Sequence, residues 1–147
     1  MSIDDDVALF ESIPTLRLLG NAALRMLAIG SEQREFLAGE VLFNQDDEAD
    51  AGFVVQRGAF RLEDGVSAEI IAGPGALMGE LAMVVPIKRR STATATDRSS
   101  VIRISRSLFQ RVLEADPAAA RRLRDEFTVR SSQITDDLKS ASAKLNN

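Results

Sequence analysis

Between residues 34 and 104 the chain breaks into short apolar stretches, none long enough for a helix of ordinary length. Eight of them, at 35–37, 41–43, 53–56, 60–63, 69–72, 76–78, 92–96 and 101–104, are separated by Gly39, Asp46-Asp47, Gly58, Asp64-Gly65, Gly73-Pro74-Gly75 and Asp97. Short strands at close spacing with turn formers between them predict an all-β barrel or sandwich. Asp64-Gly65 is expected to close a two-residue hairpin, because both central residues of such a turn take positive φ.

The flanks have a different period. Leu9, Phe10, Ile13, Leu16, Leu19, Leu24, Leu27 and Ala28 recur near helical spacing, broken at Pro14 and Gly20. Asn21 is the expected N-cap of a short helix to about Ile29, with Gly30 ending it. After Ile104 the helical period returns. Ser105 is suited to cap a helix that turns Leu108, Phe109, Val112 and Leu113 to one face. Asp116-Pro117 then opens a second helix, with Asp as cap and Pro in the first turn. That helix is expected to run to about Lys144. From Phe127 its steps through Ser131, Ile134, Leu138, Ala141 and Leu145 form a loose heptad, which suits either packing on the domain or a dimer seam.

The 147 residues are therefore expected to make one domain: a helical segment at 1–33, strands at 34–104, and helices at 105–147. No apolar run approaches the roughly 20 residues a membrane helix needs. Residues 1–6 lack a basic, then apolar, secretory pattern, so the expected compartment is the cytoplasm.

What is missing narrows the chemistry. The chain contains no Cys and no His. That removes disulfides, thiolate nucleophiles, the commonest general base and the commonest zinc ligands. No Ser, Thr or Lys stands beside a recognisable base, so no enzyme is expected. Asp46, Glu48 and Asp50 alternate as in a calcium loop. No glycine follows Asp50 directly and no glutamate closes a twelve-residue loop, so no metal is expected either. The net charge is −4, and the acidic excess lies in the first third. Such a chain is a poor generic binder of nucleic acid, whereas its basic later part suits one specific anion.

One stretch concentrates the groups that would hold that anion: Pro74-Gly75-Ala76-Leu77-Met78-Gly79-Glu80-Leu81-Ala82, followed by Pro86, Lys88, Arg89, Arg90, Ser91, Thr92 and Ala93. Gly79, without a Cβ, lets backbone approach a ligand closely. Leu81 to Met83 are suited to a short helical turn. Arg90 follows Glu80 by ten residues and offers a planar fork of donors for a phosphate. Glu80 offers a carboxylate to a hydroxyl. Together they suit a sugar phosphate.

With these residues the sequence resembles the cyclic nucleotide-binding domain family, to which the catabolite activator protein, kinase regulatory subunits and gated ion channels belong. Gly79-Glu80-Leu81-Ala82, then Arg90-Ser91, matches that family's phosphate-binding cassette, and the resemblance covers about residues 9 to 140. Gly39-Glu40, Gly58 and Pro74-Gly75 fall where the family places structural glycines. The resemblance implies an eight-stranded β-roll, of the jelly-roll or double-stranded β-helix type, with N-terminal helices and two C-terminal helices. It implies that Arg90 meets the cyclic phosphate and Glu80 the ribose 2′-hydroxyl. Gly79, Ser91, Thr92 and the backbone N–H groups of Leu81 and Ala82 would complete the site. Ser131 and Thr135 on the last helix would meet the base.

Two departures stand out. Asp46 occupies a usual glycine position, which Asp tolerates better than most residues. Arg89 stands beside Arg90 as a rival, with spacing favouring Arg90. The implied function is a regulatory domain that senses cyclic AMP, or cyclic GMP, and relays occupancy through its C-terminal helix to a protein partner or a second copy. Ser91 leans toward cyclic AMP. The alternatives are a ligand-free interaction module of the same fold, and the sensor half of a transcription regulator, with no direct contact to nucleic acid or membrane in this part.

Overall fold

The computed structural model describes residues 2–126 and 128. Three helices come first: α1 (Ile3–Glu11), α2 (Pro14–Arg17) and α3 (Asn21–Gly30). Ten strands follow: β1 (Glu32–Phe36), β2 (Val41–Phe43), β3 (Glu48–Ala49), β4 (Ala51–Arg57), β5 (Phe60–Glu63), β6 (Ile70–Ala72), β7 (Leu77–Met78), β8 (Ile87–Lys88), β9 (Thr92–Ala95) and β10 (Ser99–Ser105). A 3-10 turn at Glu80–Met83 separates β7 from β8, and α4 (Arg106–Ala115) precedes further helix at 117–126.

The strands form two four-stranded antiparallel sheets, ordered β1-β10-β4-β7 and β2-β9-β5-β6, and a small β3-β8 pair. This is a mainly β roll with flanking helices. Each of the eight expected stretches contributes a strand to the two larger sheets. The β3-β8 pair was not anticipated; each of its strands has two residues, too few for an apolar alternation to register.

Alternation along β4 and β10 sorts side chains onto two cores. Ala51, Phe53 and Val55 of β4 and Val101 of β10 turn between the sheets, meeting Phe60, Ala72, Met78, Ala93 and Ala95. Val54, Ile102 and Ile104 turn the other way, onto Phe10, Leu16, Leu19, Leu24, Leu27 and Phe109. Residues Ala51 to Gln56 are accordingly buried on both faces.

The helix ends follow local chemistry. The Ser2 hydroxyl accepts from the Asp5 N–H and the Asp5 carboxylate accepts from the Ser2 N–H, a reciprocal cap on α1. Ser105 Oγ accepts from the Leu108 N–H at 3.1 Å, as expected for α4. Asp116 Oδ1 accepts from the Ala119 N–H at 3.1 Å, as expected for the next helix. The heptad from residue 127 onward lies outside the described residues. Asn21 enters α3 as its first residue; the cap position belongs to Gly20, whose φ of 83° an Asn adopts less readily.

Asp46 does take the left-handed conformation, with φ 72°. Asp64-Gly65 departs from expectation. Only Gly65 has positive φ there, and the strands stop pairing at Leu62 and Ile70. Asp64 Oδ1 instead accepts the N–H groups of Val66 (2.9 Å) and Ser67 (2.7 Å), which widens the turn into a loop.

Gly58, at φ 75°, carries the chain from one sheet to the other. A Cβ there would lie 2.1 Å from Ser99 Oγ and 2.6 Å from the Arg98 carbonyl oxygen. Gly58→Ala should therefore cost roughly 2 kcal/mol or more, from strain and collision together. A urea midpoint unchanged from wild type would contradict this.

The two N–H donors hold the Asp64 carboxyl below its ordinary range, the Val66 bond contributing most. A depressed carboxyl contributes stability above its unfolded value of about 3.8 and loses it as the pH falls through the folded value. The stability advantage of wild type over Asp64→Ala should thus be present at pH 7 and shrink on acidification below about pH 4. Denaturation curves for both proteins across that range check it.

Candidate functional site

Strand β7 ends at Met78, and Gly79 then takes φ 75°, turning the chain into the 3-10 turn. A side chain at Gly79 is excluded twice, by that backbone conformation and by a neighbour. A Cβ would lie 2.3 Å from Arg89 Nη1.

Arg89 is only 6% exposed, unusual for a guanidinium with no carboxylate bonded to it among the described residues. Its Nη2 donates to the Ala51 carbonyl at 2.8 Å. Its guanidinium carbon lies 4.4 Å from the centre of the Phe43 ring and 5.3 Å from that of Phe53, close enough for cation–π attraction. Nη1 is buried and has no hydrogen-bond partner among the described residues. Burial pushes the Arg89 group below the ordinary arginine value; Asp50 and Asp47 act in the opposite sense, and Arg103 reinforces the lowering. Guanidinium remains charged regardless. The protein thus holds a buried cation with an unused donor.

That cation borders a cavity of about 470 Å³, within the range of small-molecule sites. Phe43, Leu62, Ile70, Ile71 and Leu77 supply an apolar wall; Gly79, Glu80, Leu81 and Lys88 to Ser91 supply a polar end. Glu80 is half-buried, and its Oε1 accepts from the Thr15 hydroxyl of α2. Arg90 is exposed at the rim, while Ser91 is half-buried.

Of the expected site residues, Gly79, Glu80, Leu81, Arg90 and Ser91 line one cavity. Ala82 does not: it is fully buried, and its N–H donates to the Gly79 carbonyl at 3.0 Å within the turn. Thr92 does not line it either; its hydroxyl accepts the Gln45 N–H at 2.9 Å. Ser131 and Thr135 lie outside the described residues. The residue that sequence reasoning set second is Arg89. Ala93 and Ala95 of β9 face the core, but the bend at Arg90 and Ser91 interrupts the alternation before it reaches Arg89, so no local period singled that residue out.

The turn is also joined to the C-terminal side. Arg106, the first residue of α4, donates from Nε to the Ala82 carbonyl at 3.0 Å and from Nη2 to the Ala49 carbonyl. Its backbone N–H donates to the Asp50 carbonyl at 2.7 Å. These bonds connect the turn, strand β3 and the residue between β3 and β4 to the first residue of α4.

Among the described residues no helix is long and apolar enough to cross a membrane, and no group of His, Cys, Asp and Glu is placed to hold a metal ion.

The chain is 33% identical to a cyclic nucleotide-binding-like protein from Brucella abortus, whose structure matches 75% of this chain and 98% of that one with a TM-score of 0.67. It also resembles the N-terminal domain of a transcriptional regulator from Streptomyces coelicolor (23% identity, 88% of this chain, 94% of that one, TM-score 0.79). A cAMP-dependent protein kinase regulatory subunit from Yarrowia lipolytica is 28% identical over 131 residues. That match takes in 86% of this chain, which spans 35% of the subunit's length. The family model described as the cyclic nucleotide-binding domain matches residues 33–116, more than half of the sequence. The chain belongs to the cyclic nucleotide-binding domain family.

Proposed function

We propose that this protein is a cytoplasmic, non-enzymatic regulatory domain that binds cyclic AMP and relays its occupancy through the C-terminal helix to a protein partner or a second copy. The observation that carries the reading is the buried, under-bonded guanidinium of Arg89 beside Gly79, at the polar end of a cavity whose other end is apolar. A cyclic nucleotide has the complementary polarity: an anionic phosphate, a hydroxylated sugar and a flat base whose ring faces suit an apolar wall.

Burying a charge costs several kcal/mol unless an opposite charge meets it. A ring phosphate at Arg89 would supply that charge and use the idle Nη1. Arg90, exposed on the same rim, adds a second cation; the ten-residue spacing from Glu80 first pointed to it. Glu80 accepts from the ribose hydroxyl, and Ser91 completes the phosphate end. The apolar wall of Ile70, Ile71 and Leu77 receives the base. Arg106, bonded to the Ala82 carbonyl, gives the relay its route from the turn to α4. The choice of cyclic AMP rests on Ser91 and on the name of the Yarrowia lipolytica relative.

Calorimetric titration of wild type and two variants with cyclic AMP tests the assignment. Charge-assisted hydrogen bonds are worth about 1.5–3 kcal/mol each, so Arg89→Ala should bind at least about tenfold more weakly. Arg90→Ala should lose less. A larger loss in Arg90→Ala would return the phosphate to Arg90.

Thermal unfolding with each nucleotide tests the ligand class. Cyclic AMP at 100 times its Kd should stabilise the fold by about 2.7 kcal/mol. A shift only with cyclic GMP would change the ligand, and no shift with either would leave a vacant interaction module.

A further inference from the structure

We infer that Thr15 is a positioning residue for the nucleotide site, holding the Glu80 carboxylate where a sugar hydroxyl meets it. The inference rests on the reading of Glu80 as the acceptor for that hydroxyl.

Thr15 is 6% exposed and lies between two core residues, Ile13 and Leu16. A polar side chain in such a place is costly unless bonded. Its hydroxyl donates to Glu80 Oε1, across 65 positions of sequence. The bond therefore ties the N-terminal helices to the first residue of the 3-10 turn, itself on the cavity wall.

The donor is fixed at both ends of its element. Pro14, the first residue of α2, sets the backbone immediately before Thr15. Beyond α2, Arg122 donates from Nε to the Leu18 carbonyl at 2.7 Å and from Nη2 to the Leu19 carbonyl at 2.8 Å. A hydroxyl so anchored presents one direction to its acceptor. A carboxylate oriented before the ligand arrives has less rotational freedom to lose on binding. Val at position 15 would keep the shape and buried volume of Thr but remove the donor.

The test is a calorimetric titration of the full chain, as wild type, Thr15→Val and Thr15→Ser, with cyclic AMP and with 2′-deoxy cyclic AMP. Wild type should prefer cyclic AMP by roughly tenfold, the worth of one good charged hydrogen bond. Thr15→Val should bind cyclic AMP roughly three- to tenfold more weakly while binding the deoxy analogue as wild type does, so that the preference collapses. Thr15→Ser, which restores a donor, should recover it. Equal weakening of both ligands would mark Thr15 as merely structural and overturn the inference, as would an undiminished preference. A wild type that binds both ligands equally would remove the Glu80 reading, and this inference with it. A preference in wild type that Thr15→Val leaves intact would remove the inference alone. If Thr15→Val does not fold, Thr15→Ala carries the same comparison.

Discussion

The pairing of β4 with β10 is the constraint on which the rest of the structure depends. Both strands are buried on both faces over most of their length. One face closes the roll through Phe53, Val55 and Val101, and the other seats the helices through Val54, Ile102 and Ile104. A side-chain period of two makes such sharing possible, and it makes register strict. A slip of one residue would exchange the two sets and leave neither core properly filled. Because β4 pairs with β7, and Gly79 follows β7 directly, the position of the cavity is inherited from this wall.

Against that frame sits a charge that the core does not neutralise. Arg89 reaches inward over Phe43 and Phe53 and bonds the Ala51 carbonyl, the first residue of β4. The rings and one carbonyl recover only part of what the guanidinium loses in leaving water. A folded protein normally satisfies its buried polar groups, and Arg89 Nη1 is an exception among the described residues that borders the cavity. Gly79 belongs to the same arrangement, since its missing side chain is the space that Arg89 Nη1 occupies.

Much of the architecture was legible from local patterns. Turn formers divided the strands, Ser105 and Asp116 announced their helices, and Asp46 did what an Asp at a glycine position can do. Errors came where a local signal had two physical outlets. Asp64 could have served a tight turn through its backbone; it served a wider loop through its carboxylate. Asn21 could have capped α3, but Gly20 beside it adopts the required backbone more easily. Strands β3 and β8 exist because Glu48 and Ala49 meet Lys88 and Ile87, a partnership that neither segment advertises by itself.

The same division holds at the site. Local composition and spacing determined the fold class and the absence of His and Cys chemistry, and they picked out the stretch from Gly79 to Ser91, much of which lines one cavity. These follow from period, turn chemistry and residue type, which act over a few positions. Only the tertiary structure decided which of two adjacent arginines is buried, that the Ala82 N–H is taken up by the turn itself, and that Glu80 meets Thr15. Those outcomes depend on partners from β2, β4 and α2, brought together by packing of the whole chain.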